Sequence, residues 1–538
     1  YHARPVRVVC SGRACALPGA EFAFALALLL ALVLALAACG GTAGTTDVNG
    51  GAPPVATGRP VLAPTYRPTG HAASGDVFVQ LFEWRWPDVA TECERVLGPA
   101  GYRAALVSPP EEHNVYPGDP WSMRYGPVSY SIDRTQGGTR AQFIDMVARC
   151  RAVGVDLYAD AVINHMAPGS GVGSNGTPFT RYNYQPLYGP SDFHSACALN
   201  NYQSVANVQD CELLGLPDLN TGSDAVQQKI ADYLVMLVRL GVAGFRIDAA
   251  KHIQPVELDG IVARVNRTVA GDGRAAPFFF LEVIDPGTEA VKAADYLGLG
   301  YASGGAADVT EFKFTGVGNK FNGANGERAS QLTTFAPSTW QLMPADKAVV
   351  FLENHDTQRA GGIGYRDGDA YRLANVWMLG QPYGYPVVMS SYAFDRGTQA
   401  GRDAGPPAPA GEVSCAARME AAVIGQWVCE HRDAWIVAMV GFRRAVAGAD
   451  FSRMWEDGRD AVAFSRGDKG WVAINNGTTG VSATVMTGLA PGTYCDILSG
   501  LKAGAACTGR SVTAAADGSV TLSLGARSAV ALLSGQRL

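Results

Sequence analysis

The chain has 538 residues, of which 47% are hydrophobic and 17% are charged. This composition excludes a mostly disordered protein, and the length could supply several domains. The net charge of -6 argues against a nucleic-acid partner, because nucleic-acid binders usually carry basic clusters. We therefore expect a globular protein that does not bind nucleic acid.

Residues 1–39 have the pattern of an export signal. Three arginines precede an apolar run that ends at Leu36-Ala37-Ala38-Cys39, and small residues at the end of such a run are typical of a secretory signal. These last four residues also resemble a bacterial lipobox. A plain signal peptide and an uncleaved anchor are the alternatives. We predict an exported protein, either secreted or held at a membrane only by a lipid on Cys39.

Residues 40–75 are rich in Gly, Pro, Thr and Ala and show little apolar periodicity. This composition is typical of a flexible linker. A linker after an anchor would let the following domain stand away from a membrane.

The cysteines agree with export. Cys10 and Cys15 lie in the part that a signal peptidase would remove, and Cys39 is the lipid candidate, so eight of the eleven cysteines are left. An even number in an exported chain indicates disulfides, and pairing between neighbours is the most economical arrangement, although the sequence alone leaves connectivity open. The chain has no Cys-x-x-Cys pair, which argues against zinc. The neighbouring pairs would be Cys93 and Cys150, Cys197 and Cys211, Cys415 and Cys429, and Cys495 and Cys507.

From Asp76 onward, short apolar runs alternate with amphipathic stretches such as Ala141–Val153 and Ala225–Leu240. Repeated alternation of this kind predicts a parallel (β/α)₈ barrel, the TIM barrel of the α/β class. The predicted strands are Val77–Leu81, Ala104–Val107, Leu157–Ala159, Phe245–Ile247, Phe278–Leu281, Val309–Phe314, Val349–Leu352 and Val387–Met389.

Two regions depart from this alternation. Residues 164–220 are rich in Gly, Asn, Pro and Tyr and are too long for a βα loop, so we predict a small domain inserted after strand three. The barrel would then occupy residues 76–163 and 221–445. Residues 446–538 contain two alternating runs around Gly467-Asp468-Lys469-Gly470, which predicts a hairpin in a C-terminal antiparallel β-sandwich domain.

Three carboxylates follow runs that have the pattern of buried strands. They are Asp248 after Gly244–Ile247, Glu282 after Phe278–Leu281, and Asp356 in Asn354-His355-Asp356. Such positions meet at the top face of a barrel. Two carboxyl groups there can cleave a glycosidic bond with retention, one as nucleophile and one as general acid/base. Asp248 and Glu282 suit these roles, and Asp356 could bind sugar hydroxyls.

Neighbouring residues are expected to tune these acids. Arg246 lies two residues before Asp248 and therefore on the same strand face, where its charge would keep Asp248 ionised. Three phenylalanines and Leu281 precede Glu282, and apolar surroundings could raise its pKa enough for an acid role. Capping of helices or pairing with surface arginines is the alternative, but three motifs in register with eight strands disfavour it.

As a set, these motifs resemble the α-amylase family of glycoside hydrolases, specifically the animal-type members and their bacterial relatives. The resemblance covers about residues 76–538. The matching segments are Phe82-Glu83-Trp84-Arg85-Trp86, Asp160-Ala161-Val162-Ile163-Asn164-His165, Gly241–Ala249, Asn354-His355-Asp356, Val388-Met389-Ser390-Ser391-Tyr392 and Gly492-Thr493-Tyr494-Cys495-Asp496.

The resemblance implies roles for single residues. Asp248 matches the nucleophile, Glu282 the general acid/base and Asp356 the transition-state stabiliser. Trp121 and Tyr125 match aromatics that stack on glucose rings, although they could equally be core residues. The sugar-binding positions implied are His165, Arg246, Lys251, His252 and His355.

Calcium is the structural ion that the resemblance implies, and it requires oxygen ligands. The matching ligands are the side chains of Asn164 and Asp218 and the backbone carbonyls of Gln209 and His252. Asn and Asp in such loops are more often turn formers. The four neighbouring cysteine pairs also match pairs in animal-type members.

The chain departs from this pattern at three places. Animal-type members hold an activating chloride with two Arg and one Asn; Arg246 and Asn354 are present, but Val387 replaces the second Arg. One Arg should hold an anion more weakly, so we predict weak or no chloride dependence. Ser122 replaces an expected tryptophan, and residues 360–365 alter a Gly-rich mobile loop.

The resemblance implies an endo-acting hydrolase of α-1,4-glucosidic bonds in starch, glycogen and maltooligosaccharides. Nothing in the sequence suggests an obligate oligomer, so we expect a monomer. An α-glucan transferase on the same scaffold is one alternative. A non-catalytic glucan-binding protein is the other, and the presence of all three acids disfavours it.

Overall fold

The computed structural model describes residues 75–297, 307–407 and 413–538. The predicted signal, the lipid site at Cys39 and the linker up to residue 74 lie outside these ranges and stay predictions. Among the described residues, no helix combines the length and the hydrophobicity that a membrane span requires.

Eight parallel strands close into a barrel, in the spatial order β1-β8-β7-β6-β5-β4-β3-β2, which confirms the predicted (β/α)₈ fold. The strands are buried along nearly their whole length, as expected for a parallel sheet covered on both faces. They are β1 (Phe78–Leu81), β2 (Ala104–Val107), β3 (Asp156–Ala161), β4 (Gly244–Ile247), β5 (Phe278–Leu281), β6 (Ala307–Thr310), β7 (Ala348–Val350) and β8 (Tyr385–Ser390).

Two strand predictions were wrong at their carboxyl ends. Strand β6 ends at Thr310, where the prediction continued to Phe314, and Phe312–Thr315 forms a 3₁₀ helix instead. The Glu311 side chain accepts a hydrogen bond from Lys313 N at 3.0 Å and so caps this turn. Strand β7 likewise ends at Val350, two residues before the predicted end.

The helices follow the predicted pattern closely. A capping box formed by Thr139 and Gln142 begins the helix that the sequence predicts from Ala141. The second predicted helix ends where Gly241 takes a left-handed conformation with φ of 106°. The helices are α1 (Trp86–Glu92), α2 (Arg140–Ala152), α3 (Val205–Asp210), α4 (Asp224–Leu240), α5 (Pro255–Gly271), α6 (Gly316–Asn322), α7 (Thr357–Ala360), α8 (Asp369–Gly380), α9 (Gln399–Asp403) and α10 (Ala434–Ala445).

An aromatic layer fills the barrel interior near the amino ends of the strands. Phe78 packs against Tyr158, Phe280 and Tyr385, with ring centroids 4.7–5.5 Å apart. The Tyr158 and Tyr385 hydroxyls are 3.1 Å apart, which satisfies both polar groups inside the layer. Val387 belongs to the same cluster. This layer makes a dry floor below the carboxyl ends of the strands.

The C-terminal domain is antiparallel, as predicted. Eight of its strands form one sheet in the order β9-β10-β11-β16-β13-β14-β15-β12, and Lys502–Ala503 and Ala506–Cys507 form a separate short pair. Side chains from both ends of this order share one apolar core, so the sheet curls over on itself. The predicted hairpin is present, with Ala461 paired to Asn475 and Arg466 to Gly470. The strands are β9 (Phe451–Glu456), β10 (Ala461–Arg466), β11 (Gly470–Asn475), β12 (Val481–Met486), β13 (Gly492–Asp496), β14 (Ser511–Ala514), β15 (Ser519–Leu524) and β16 (Ser528–Arg537).

Buried polar side chains join this domain to the barrel. Arg466 Nη1 donates to the carbonyl of Gly380 at 2.8 Å, and Asn476 Nδ2 donates to the carbonyl of Phe321 at 2.9 Å. Each bond satisfies a carbonyl near the end of a barrel helix, where the helix itself offers no donor.

Four disulfides are formed, and they join the neighbouring cysteines. The Cα atoms of each pair are 4.9–5.7 Å apart, within the normal range for a disulfide. The economical pairing is therefore confirmed. Four disulfides fit an oxidising compartment such as the outside of the cell.

A buried ion pair joins the first barrel helix to the segment after the last strand. Glu92 Oε1, at the end of α1, accepts hydrogen bonds from His431 Nε2 at 2.7 Å and Arg432 Nε at 2.8 Å. Burial raises the pKa of Glu92, but the hydrogen bonds from His431 and Arg432 outweigh it and lower the pKa to about 2. The ionised form of Glu92 therefore stabilises the closed barrel.

The Glu92→Gln variant should be less stable than the wild type at neutral pH by about 2–3 kcal/mol, because the pKa of Glu92 is about 2 in the folded chain and 4.5 otherwise. This contribution is complete above pH 4.5 and is lost as the pH falls toward 2, so the difference between the two proteins should shrink over that window. Urea unfolding at several pH values measures it. Glu94→Gln, which removes a more exposed partner of Arg149, is the control and should have a much smaller effect on stability. A Glu92→Gln difference that stays constant with pH would contradict the prediction.

Candidate active site

The predicted acids meet at the carboxyl ends of the barrel strands. Asp248 directly follows β4 and Glu282 directly follows β5. Their backbone amides continue the sheet, since Asp248 N donates to the carbonyl of Ala161 and Glu282 N to that of Ile247, each at 3.0 Å. The positions of these two carboxylates are therefore fixed by the barrel itself.

One buried guanidinium joins three carboxylates. Arg246 Nη1 donates to Asp160 Oδ1 at 2.6 Å and to Asp248 Oδ1 at 2.9 Å, while Nη2 donates to Glu282 Oε1. Arg246 is only 4% exposed. Charge-assisted bonds of this kind are strong in a buried site, and each carboxylate would be costly there without the arginine.

The surroundings of Glu282 differ from the sequence-based expectation. Instead of an apolar environment, its two oxygens contact the Arg246 guanidinium and the amide of Ala249, which donates at 2.9 Å. Ala249 has a left-handed conformation with φ of 49°, which is unusual for alanine. This strained turn directs the Ala249 amide toward Glu282, and such strain is common at functional sites.

The charge state of Asp248 reflects two opposing effects. Burial raises its pKa well above the ordinary value, and Arg246 opposes this rise. The nearby charges of Glu282 and Asp160 raise the pKa further. The sequence predicted that Arg246 would keep Asp248 ionised; the structure shows the arginine acting in that direction against a larger effect of burial.

Asp356 lies on a loop beyond β7 and is more accessible than the other two acids. Its side chain is 40% exposed, compared with 10% for Asp248 and 9% for Glu282. Asn354 Oδ1 accepts hydrogen bonds from the amides of Asp356 and Thr357, at 3.1 and 2.8 Å, and so shapes the loop. Asp356 can therefore meet a ligand without rearrangement.

His355 is held in one orientation beside Asp356. Its ring stacks on Phe82 and Tyr125, with centroid distances of 4.7 and 5.2 Å. Gln80 Nε2 donates to His355 Nδ1 at 3.2 Å, which leaves the ring proton on Nε2. That nitrogen faces Asp356 Oδ2 at 3.5 Å. Burial lowers the pKa of His355 well below its usual value, so the ring is neutral.

The predicted aromatic positions line the same side of the site. Tyr125 donates through its hydroxyl to Asp160 Oδ2 at 3.0 Å. Trp121 lies 5.5 Å from the His355 ring but is only 6% exposed and belongs to an apolar cluster with Phe82. Trp121 thus has the packing of a core residue, whereas Tyr125 is tied to the carboxylate cluster.

The other predicted sugar-binding residues lie around the rim. His165 Nε2 is 3.0 Å from the carbonyl of Tyr125, and His252 Nδ1 is 2.9 Å from that of Val208. Burial lowers their pKa values to about 4 and about 3, so both rings are neutral. Lys251 Nζ donates to the carbonyl of Ile284 at 2.7 Å and pairs with Glu289.

The predicted metal ligands form two pairs. Asn164 Nδ2 donates to Asp218 Oδ1 at 3.2 Å, and both side chains are buried. Burial raises the pKa of Asp218 to about 7. Gln209 lies in the last turn of α3, next to the Val208 carbonyl that His252 contacts. In the described ranges, no cluster of three or more His, Cys, Asp and Glu side chains suits a metal.

Two site residues escaped the sequence-based prediction. Asp160 lies within β3 and contacts Arg246, and Glu289 pairs with Lys251. Asp160 had a usable signal, because it too is a carboxylate near the end of a buried strand. Glu289 lies in a loop, and its sequence neighbours do not distinguish it from a surface acid.

This combination of fold and site defines a class. A closed parallel barrel that presents two carboxyl groups on one arginine and a third, accessible one beside them is suited to glycoside hydrolysis.

Comparison with known proteins narrows the class to one family. Residues 119–272 match the model of the alpha amylase catalytic domain, and residues 455–535 match its C-terminal all-beta domain. The alpha-amylase of Tribolium castaneum is 43% identical over 469 residues, covering 85% of this chain and 92% of that protein. Pancreatic alpha-amylase 2a5 of Mus musculus is 41% identical over 483 residues, covering 84% of this chain and 93% of that protein.

A solved structure agrees with these relatives. The crystal structure of alpha-amylase I from Eisenia fetida superposes with a TM-score of 0.77 at 35% identity, over 85% of this chain and 97% of that one. A mutant of the same enzyme, in complex with maltohexaose, superposes with a TM-score of 0.76. The chain belongs to the α-amylase family of glycoside hydrolases, as its motifs predicted.

Proposed function

We propose that the protein is an endo-acting hydrolase of α-1,4-glucosidic bonds in starch, glycogen and maltooligosaccharides. The main supporting observation is that Asp248 and Glu282 are hydrogen-bonded to the two terminal nitrogens of one guanidinium, that of Arg246. Carboxyl groups bonded to one guanidinium lie close together, as cleavage of a single glycosidic bond by a pair of carboxyl groups requires. The maltohexaose bound by the Eisenia fetida enzyme supports a glucan substrate.

In this mechanism Asp248 attacks the anomeric carbon while Glu282 protonates the leaving oxygen. Glu282 then removes a proton from the water that hydrolyses the glycosyl-enzyme intermediate. The more exposed Asp356 binds sugar hydroxyls and favours the cationic transition state. Arg246 holds the two reacting carboxyl groups in register, and His355 keeps Asp356 at the edge of the same space.

Glu282→Gln should lower the rate of reducing-sugar release from soluble starch by about 10²–10⁴-fold, because the amide cannot transfer a proton. Asp248→Asn should abolish release as well, because it removes the nucleophile. The control is Asp272→Asn, which replaces an exposed acid after α5. Reducing-sugar assays with product sizing measure both rates and product lengths.

The products that the wild-type protein forms from starch distinguish the proposed hydrolase from its alternatives. Rapid release of mixed maltooligosaccharides supports an endo-hydrolase. Larger or cyclic glucans without net release would indicate a transferase, and binding without any new product would indicate a glucan-binding protein. Either of these two outcomes would refute the hydrolase.

Calcium binding is proposed at Asn164, Asp218 and the carbonyls of Gln209 and His252. The donor set fits, because it consists of one carboxylate, one amide and two backbone oxygens, and calcium prefers such ligands. Asp218 is 3% exposed, and its buried carboxylate would gain the compensating charge that an ion supplies. Residues 164 and 218 border the segment after β3, while His252 follows β4, so these residues would tie that segment to the barrel.

Calcium should raise the melting temperature of the chelator-treated wild type by about 5 °C or more, because an ion that binds only the folded chain stabilises it. Asp218→Asn should remove most of this rise, since it deletes the only charged ligand. The matched control is Asp192→Asn. Asp192 also lies between residues 164 and 220, but it pairs with Lys229 of α4. Equal calcium responses in all three proteins would place the ion elsewhere.

Chloride activation is proposed to be weak or missing. Arg246 already bonds three carboxylates, and Val387, at the position of the second arginine, lies in the apolar barrel interior. Asn354 directs its Oδ1 toward two backbone amides. Arg246, which would have to hold the anion, is therefore already paired with carboxylates.

The rate of starch hydrolysis should change less than about two-fold between chloride-free buffer and roughly 0.1 M chloride, with ionic strength held constant by a larger anion. A several-fold activation that saturates with chloride would contradict this prediction. The constant ionic strength separates specific binding from general screening.

Export is proposed for the protein as well. The four disulfides support it, since they persist in oxidising compartments. The sequence pattern alone supports a lipid at Cys39.

A further inference from the structure

A buried arginine lies three residues after Asp356 and belongs to none of the roles described above. Arg359, in α7, is 5% exposed, and each of its three guanidinium nitrogens donates to a different part of the chain. Nη1 donates to the carbonyl of His355, Nε donates to the carbonyl of Arg402 at 2.9 Å, and Nη2 donates to the Tyr392 hydroxyl at 3.2 Å.

The same guanidinium packs on aromatic rings. Its central carbon lies 4.4 Å from the ring centroid of Trp121 and 4.5 Å from that of Phe394. A desolvated cation over such rings is a favourable contact. Arg359 therefore contacts two parts of the site at the same time. One is the aromatic wall, which we define as Trp121 and Phe394, and the other is the catalytic loop, residues 354–364, which it contacts at the His355 carbonyl.

The segment that contains Arg402 is itself fixed against this wall. Tyr392 donates through its hydroxyl to the carbonyl of Ala404 at 2.8 Å. Gly405 lies so close to Asp119 that a Cβ atom there would be 1.9 Å from the Asp119 carbonyl oxygen. Arg359 thus binds a segment that is packed against the turn leading to Trp121.

The loop that carries Asp356 is rich in glycine beyond α7. Its acid, Asp356, is followed within eight residues by glycines 361, 362 and 364, and Gly361 has φ of 108°. The His355 carbonyl, which Arg359 holds, is one peptide unit from Asp356. Glycine permits wide backbone motion, so the loop depends on such bonds for its position.

We propose that Arg359 is a positioning residue for the reaction, which fixes Asp356 relative to the Trp121 wall. The inference rests on the proposed hydrolase function. Arg359 contacts no reacting group of the proposed mechanism and acts through the His355 carbonyl. Displacement of a catalytic group by about 1 Å can cost about 10²-fold in rate. The planar guanidinium of Arg359 donates in three fixed directions at once, and the ammonium group of a lysine cannot reproduce this geometry.

The test compares Arg359→Lys and Arg359→Met with the wild type. Both variants should lower kcat on maltooligosaccharides by about 10–100-fold, because both lose the three-way contact. KM should change by less than about three-fold, as should the affinity for maltohexaose, measured by calorimetry in the inactive Glu282→Gln background. Thermal melting and circular dichroism of each variant check that the fold is retained.

Arg366→Lys is the matched control. The Arg366 guanidinium also packs on Phe394, at 4.5 Å, but it is bonded to the Phe394 carbonyl and not to the catalytic loop. The kcat of the Arg366→Lys variant should stay within about two-fold of the wild-type kcat. If Arg359→Met does not fold, Tyr392→Phe removes a single contact of Arg359 and should still lower kcat by about two- to five-fold.

Other outcomes would overturn the inference. A wild-type kcat in Arg359→Lys would show that only the positive charge of Arg359 matters. If both variants bound maltohexaose more weakly but kept their kcat, Arg359 would instead be part of the substrate-binding wall. Lower melting temperatures with unchanged kcat would make it structural. An inactive wild type would instead refute the proposed function, so the two failures are distinguishable.

Discussion

The bond network of Arg246 is the interaction on which the rest of the site depends. In the barrel register, Arg246 on β4 lies directly opposite Asp160 on β3 and Phe280 on β5. Alternation along a strand then directs Arg246 and Asp248 to the same face. A buried arginine and a buried carboxylate are each costly alone, and each offsets the cost of the other. The closed barrel is thus what allows three acids to share so small a space.

The aromatic layer below this network strengthens its charge-assisted hydrogen bonds. Phe78, Tyr158 and Tyr385 fill the barrel toward the amino ends of the strands with buried, mostly apolar side chains. Hydrogen bonds between charged groups are stronger in such a medium, and an unpaired group is correspondingly expensive. Val387 lies within this layer, so the valine extends the apolar floor where a second arginine would bring charge. The dry floor and the single arginine are therefore parts of one arrangement.

Sequence reasoning was most successful where local pattern and function coincide. Asp248 and Glu282 stand immediately after apolar strands, and periodicity alone places such residues at one face of a barrel. It failed where distant parts of the chain decide the environment. The polar surroundings of Glu282 depend on Arg246 and on the strained Ala249 turn, neither of which the preceding phenylalanines reveal. Strand β6 ended early because Glu311 caps a turn, a choice between two local structures that hydrophobicity does not distinguish.

The same distinction separates the third acid from the first two. Asp248 and Glu282 continue the hydrogen-bond ladder of the barrel, so their positions follow from the fold. Asp356 lies on a loop, and its position follows from side-chain contacts: those of Asn354 and Arg359 close to it in sequence, and that of the distant Gln80, which acts through His355. Groups that exchange bonds with the substrate need the accuracy of a rigid element, whereas a group that binds hydroxyls can tolerate a loop if other contacts support it. The barrel therefore fixes the two acids that we propose make and break bonds, whereas side-chain contacts of the loop, one of them from the distant Gln80, hold the third acid.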